Sequence, residues 1–228
     1  MKNWDKIGIA DFLYDNPGMI LKIFSEKQIV FEGTYYLCAH HPTGGNIDSD
    51  FRLRIEIPAT FPNMIPIVRE VSNKIPRDRK HHVNIDSSNF TDSLCLGSRI
   101  RILQKISENP TISGFVNKCV VPFLYAVVSG DFLFGELEHY DEGIFDDYKE
   151  LFNVSSDEQV LSILLCISKK KRIANKQLCP CGCGYKLGKC DLHNKINLIR
   201  RLSSRNSFKV EYNNLLNEKR KNLLDMFK

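Results

Sequence analysis

The run from His81 to Gly97, HHVNIDSSNFTDSLCLG, gathers the residue types of acyl transfer into one stretch. Cys95 ends a long polar loop and is held between Leu94 and Leu96, so it is anchored yet reachable. Asn84, eleven positions earlier, offers an amide that can hydrogen-bond developing negative charge. Together they are the minimum equipment for acyl transfer through a thioester: a thiolate attacks an activated carbonyl, and a preorganised donor stabilises the oxyanion. The spacing alone leaves a second reading open, an inert core thiol, because free cysteine is among the most buried residue types.

A second cluster follows at residues 179–193, CPCGCGYKLGKCDLH. Cys179, Cys181, Cys190 and His193 supply enough soft ligands for one tetrahedral zinc, with Cys183 and Asp191 as alternatives for the fourth place. Gly182 and Gly184 let the backbone turn tightly, so that amides can point at the thiolates. Four cysteines within twelve residues are hard to place as metal-free thiols, and eight in a chain with no signal-peptide layout argue for metal or catalysis over disulfides. The ion expected is a structural Zn2+, one per chain.

The elements that must position these groups read as strands first and helices second, an α+β order. Residues 19–24 and 29–38 are strand-like, and 40–49, with Pro42, Gly44 and Gly45, reads as a loop. Phe51 to Ile57 alternates apolar and charged residues at period two, Pro58 stops it, and Ile67 to Val71 is a fourth strand. About four strands in an antiparallel meander, packed on helices, are therefore expected. Residues 72–112 show no period. Helical spacing begins near Ser113, with Phe115, Cys119, Phe123, Ala126 and Val127 on one face, Pro122 delimiting or kinking it and Gly130 ending it. Asp141 to Phe152 is a further helix. Ser155 and Glu158 fit a capping box for the next one, which Lys169 to Arg172 closes. The last helix carries Phe208, Tyr212, Leu215, Leu216, Leu223 and Phe227 as an apolar stripe expected to fold back on the knuckle.

With 228 residues, 43% of them hydrophobic and 26% charged, the chain has ample material for a core. No apolar run reads as a membrane span and the N-terminus lacks a signal-peptide layout, so a cytoplasmic protein with no membrane partner is expected. Charge is divided unevenly. Residues 169–228 hold 16 Lys/Arg against 4 Asp/Glu, a net of +12, while residues 1–168 carry a net of −7. The charge step suggests two modules, 1–168 and 169–228, the second able to dock an acidic partner. A solvated tail is the plain alternative.

The residues around Cys95 resemble a ubiquitin-conjugating enzyme over roughly residues 18–152. The Pro-rich turn is Phe61-Pro62-Asn63-Met64-Ile65-Pro66, the His-Pro-Asn position is His82-Val83-Asn84, and the cysteine is Cys95. Val83 in place of the usual Pro, and a loop about three residues longer than the eukaryotic pattern, are closer to bacterial relatives, as is the segment from Phe115 to Tyr148. The resemblance implies a UBC-like fold, Cys95 as the thioester nucleophile, Asn84 as oxyanion stabiliser and His82 as a brace for the loop, with His139 structural. Relatives of that branch occur in CBASS-type anti-phage operons. They imply a protein substrate with a conjugatable C-terminus, a cGAS/DncV-like nucleotidyltransferase or a ubiquitin-like protein, activated by a separate enzyme or without one. Residues 179–193 resemble the SEC-C motif, a short zinc module. In that family a Cys or His directly follows the third Cys, and here Asp191 stands there. Two other classes stay open: a catalytically inactive UBC-like binding module, and a zinc-dependent nucleic-acid-binding adaptor. Against the latter, the few tail aromatics, Tyr185 among them, sit mostly on the apolar stripe.

Overall fold

Period-two alternation and a helical tail give an α+β structure with an antiparallel sheet. The computed structural model describes residues 4–41, 45–78, 80–85, 91–130 and 141–225. His139 and Phe227 lie outside them, as does the side chain of Leu223. The chain divides into two compact units, Met1–Glu136 and Leu137–Lys228.

The first unit holds α1 (Ile9–Asp15) and six strands: β1 (Met19–Phe24), β2 (Gln28–His41), β3 (Gly45–Pro58), β4 (Ile67–Glu70), β5 (Val83–Asn84) and β6 (Ser93–Leu94). Among the described residues they form one sheet in the order β1-β2-β3-β4-β6-β5, antiparallel throughout. The first four are the expected meander. Most of the expected loop at 40–49 is instead ladder, since β2 and β3 pair out to His41 opposite Gly45. Main-chain hydrogen bonds carry that extension while Asn46, Asp48 and Asp50 stay exposed. Along β3, Phe51, Leu53, Ile55 and Ile57 are buried. On the same strand Arg54 pairs with Glu56 at 3.0 Å and Glu32 at 2.9 Å, and Arg69 reaches Glu56 at 2.7 Å. The period-two pattern thus separates a dry face from an ion-paired one.

Helices cover the dry face. α2 (Arg99–Glu108) buries Ile100, Ile102, Leu103 and Ile106 within a stretch read as patternless. Its opening, Arg-Ile-Arg-Ile, alternates like a strand, which hides the helical face. α3 (Ile112–Phe115) passes through a π-helical turn at Val116–Val120 into α4 (Val121–Ser129), which Gly130 ends. Pro122 lies in the first turn of α4, where its missing N–H is tolerated, and the wide turn before it absorbs the change of pitch. Residues Ile112–Ser129 are, against expectation, long and apolar enough to cross a membrane by length and composition, with a mean hydropathy of 1.5. Phe115, Val116, Cys119, Val120 and Leu124 from this stretch are core residues of the first unit, so core burial accounts for the composition.

The second unit is helical: α5 (Asp141–Phe152), α6 (Asp157–Ser168), α7 (Lys171–Ala174), α8 (Leu192–Ile199) and α9 (Arg205–Asp225). α6 is its centre, burying Val160, Ile163, Leu164 and Ile167. α9 packs along α6 with Phe208 and Leu215 buried, so the apolar stripe folds back on α5 and α6 where the knuckle had been expected. The N-cap of α6 is Ser156, one residue later than expected. Its hydroxyl accepts from the Gln159 amide at 3.3 Å, and Gln159 Oε1 accepts from the Ser156 amide at 3.2 Å. Glu158, freed from the box, pairs with Lys219 at 2.5 Å, and Asp157 pairs with the same lysine at 3.1 Å.

The charge step at 168/169 therefore falls inside the second unit, between α6 and α7. Recounted by unit, residues 1–136 are neutral and residues 137–228 carry 17 Lys/Arg against 12 Asp/Glu, a net of +5. Part of the acid that the tail was expected to find in a partner is already supplied by α5 and the start of α6.

Candidate functional site

Cys95 is positioned by the hairpin of β5 and β6. Val83 stands opposite Leu94, and both are buried; Asn84 stands opposite Ser93. One step out, the Cys95 amide donates to the His82 carbonyl at 2.7 Å. His82 holds a φ of 53°, in the left-handed region that L residues avoid. The hairpin is tied to the meander through Arg69, which stands opposite Ser93 in β4 and donates from Nε to the Thr91 carbonyl at 3.1 Å. Upstream, the buried Glu70 carboxylate accepts from the backbone amides of Ser72 at 2.8 Å and Lys74 at 3.0 Å, which fixes the turn leaving β4. The register thus brings His82, Asn84 and Cys95 to one short hairpin.

Two details bear on the chemistry. Asn84 Nδ2 donates to Ser93 Oγ at 2.9 Å and to the Ser93 carbonyl at 3.2 Å, so its donor capacity is engaged. Ser93 is buried and went unnoticed in the sequence; only the strand pairing exposes it as the partner of Asn84. Cys95 is half-buried, and burial pushes its thiol above the ordinary value; the one offset among the described residues is a hydrogen bond from the Gly97 amide. His81 is turned to Asp78, its Nδ1 lying 2.7 Å from the carboxylate, and this contact holds Asp78 below the usual carboxylate range. An ordinary thiol has a pKa of about 8.5, so a raised one stays protonated at neutral pH. Alkylation of Cys95 by iodoacetamide, followed by peptide mass spectrometry, should accelerate about tenfold per pH unit between about pH 7 and 8.5. A plateau near neutrality would mean that the thiolate is stabilised after all.

The cysteine knuckle comes together in the second unit. The sulfurs of Cys179, Cys181, Cys183 and Cys190 all lie within 4.8 Å of one another and could hold a metal ion. Cys179 Sγ is 3.2 Å from Cys181 Sγ, which is 3.6 Å from Cys190 Sγ. Gly182 at φ 84° and Gly184 at φ 78° make the expected turns, since side chains are strained at these angles. As a result three of the four thiols receive the amide two residues on: Cys179 from Cys181, Cys181 from Cys183, and Cys183 from Tyr185. Burial pushes Cys181 up, but hydrogen bonds from Cys179 and the others outweigh it and bring this thiol down to about 7. His193, the expected fourth ligand, is not among these four residues, and Cys183, the alternative, is. His193 Nε2 is occupied by the amides of Asn197 at 2.9 Å and Asn175 at 3.1 Å.

Comparison of the chain with protein-family models, with curated proteins and with solved structures finds no match.

Proposed function

We propose that the first unit is a ubiquitin-conjugating-like transferase with a UBC-like fold and Cys95 as its thioester nucleophile. The observation that carries this reading is the hairpin register, which sets His82 and Asn84 across from Cys95 and Ser93. In charging, the Cys95 thiolate attacks the activated C-terminal carbonyl of a protein; the C–S bond forms and the activating group leaves. In transfer, an amine attacks the thioester carbonyl, the C–N bond forms, the C–S bond breaks, and the amine proton passes to solvent. Asn84, turned from Ser93, stabilises the oxyanion of that second step. His82 braces the loop. The substrate in this reading is a cGAS/DncV-like nucleotidyltransferase or a ubiquitin-like protein, activated separately, and the setting is cytoplasmic anti-phage defence. In the second unit the ion is a structural zinc in a closed site of four thiolates.

Single-turnover assays that separate charging from transfer test the role of Asn84. Asn84→Ala should slow transfer on the order of 10²-fold or more, as loss of an oxyanion donor does, and leave charging nearly unchanged. Equal loss in both steps would make Asn84 a support of the hairpin. Failure of the unaltered protein to form any thioester would favour an inactive binding module, the reading to which the raised thiol of Cys95 lends weight.

A further inference from the structure

The geometry points to Ser93 as a positioning residue for transfer: its buried hydroxyl latches the Asn84 carboxamide in a resting orientation that must be released before Asn84 can act. The inference rests on the transferase reading of Cys95 and goes one residue beyond it. Asn84 and Ser93 stand directly opposite one another in the hairpin of β5 and β6. Opposed residues share a face of an antiparallel pair, here the face away from Val83 and Leu94. The next rung is the bond from the Cys95 amide to the His82 carbonyl at 2.7 Å, so the latch lies one rung from the nucleophile. Asn84 Nδ2 carries two hydrogens and faces two acceptors, Ser93 Oγ at 2.9 Å and the Ser93 carbonyl at 3.2 Å. Both belong to one residue.

The two partners differ in exposure, and that difference makes the contact a latch. Ser93 is 3% exposed, whereas Asn84 is half-buried. Asn84 can exchange its partner for water or substrate; the Ser93 hydroxyl cannot. Its partner among the described residues is Asn84 Nδ2. Turning the carboxamide away therefore strands a buried hydroxyl, and leaving such a group unpaired costs more than an ordinary hydrogen bond contributes. The cost falls on one step. Charging is an attack by Cys95 on an already activated carbonyl and proceeds with Asn84 at rest. The oxyanion of aminolysis needs a free Nδ2 hydrogen, so Ser93 opposes transfer until the carboxamide is displaced. A hydroxyl that only supported the hairpin would affect both steps alike.

The full metal-loaded chain is loaded at Cys95 by thiol exchange with a short peptide thioester of mercaptoethanesulfonate. The Cys95 thiolate forms the new C–S bond and the mercaptoethanesulfonate thiolate leaves. Free lysine then attacks the purified thioester: the C–N bond forms, the Cys95 thiolate leaves, and the amine proton passes to solvent. Intact mass and peptide mapping follow both steps. Ser93→Ala should raise the rate of aminolysis on the order of 5-fold, as expected from loss of one neutral hydrogen bond, with loading unchanged. Ser93→Thr, which keeps the hydroxyl, should transfer as the parent does. The acceleration should vanish in an Asn84→Ala background, since the hydroxyl acts through that carboxamide. Exchange of the Asn84 side-chain amide protons with water, read by nuclear magnetic resonance, follows the latch without any transfer chemistry and should quicken about 5-fold in Ser93→Ala. The inference is overturned if Ser93→Ala transfers no faster than the parent, if Ser93→Thr matches Ser93→Ala, or if the acceleration persists without Asn84. Unchanged amide exchange in Ser93→Ala removes the latch itself. Quickened exchange in a chain whose Cys95 cannot be loaded keeps the latch and defeats the transferase reading instead.

Discussion

Cys95→Ala should abolish the proposed thioester formation, and Cys95→Ser should convert the thioester into a hydroxylamine-sensitive but thiol-resistant oxyester. Removing a covalent nucleophile costs on the order of 10⁶-fold in systems where the acting residues work as a unit, so the expected charging signal is below detection. The fold should survive, because Cys95 is half-buried and its own amide, not its sulfur, makes the 2.7 Å hydrogen bond to the His82 carbonyl; the substitution gives up only the bond the sulfur accepts from the Gly97 amide. The other first-unit thiols are internal controls. Cys119 is buried and desolvation pushes it up to about 11, so it should neither charge nor alkylate in the native state. Cys38 is exposed on β2, and a hydrogen bond to Asp48 raises it. Cys38→Ala should therefore charge like the parent. Intact-mass measurement under non-reducing conditions, with and without added thiol, separates the cases. Retained charging in Cys95→Ala, or its loss in Cys38→Ala, moves the nucleophile away from the hairpin.

What the residues disclosed in advance follows a physical line. Phe51 to Ile57 announced a strand because a half-buried strand must alternate, and the burial along β3 obeys it. Helix α5 showed its limits because its apolar residues recur at helical spacing. Arg99 to Glu108 did not, since Arg-Ile-Arg-Ile satisfies a strand period before Leu103 and Ile106 reveal a helical one. Two adjacent serines followed by Glu158 and Gln159 left the capping box uncertain by one position, and only the hydrogen bonds of Gln159 decide it. The division at 136/137 depends on α5 and α6 packing with α9, which charge counting cannot see; the charge step at 168/169 is real but lies within one packed unit. Asn84 and Cys95 were legible as a pair through spacing. Ser93 was not, because its relation to Asn84 exists only once β5 and β6 are in register.

Removing the metal from the knuckle should release α8 from α6 while leaving the hairpin of Cys95 untouched. Structural zinc in small cysteine sites contributes on the order of 10 kcal/mol of folding free energy, more than the few apolar contacts of this segment can replace. The buried residues of the knuckle and α8 are Leu187, Leu192, Ile196 and Ile199. Hydrogen exchange on the chain treated with a zinc chelator should lose protection across residues 175–199, keep it in α6 and α9, whose ion pairs at Lys219 do not involve the metal, and show no change in β2 and β3. Elemental analysis should give close to one zinc per chain before treatment. The ligand set makes the sharper test. Cys183 completes the four-thiolate cluster, whereas His193 Nε2 is held by Asn175 and Asn197. Cys183→Ser should then weaken metal retention under chelator competition, and His193→Ala should retain the ion while loosening the Asn175 and Asn197 contacts. Loss of zinc from His193→Ala together with retention in Cys183→Ser would return the fourth place to the histidine. Such a result would mean that the metal-bound knuckle turns α8 so that the ring faces the cysteines.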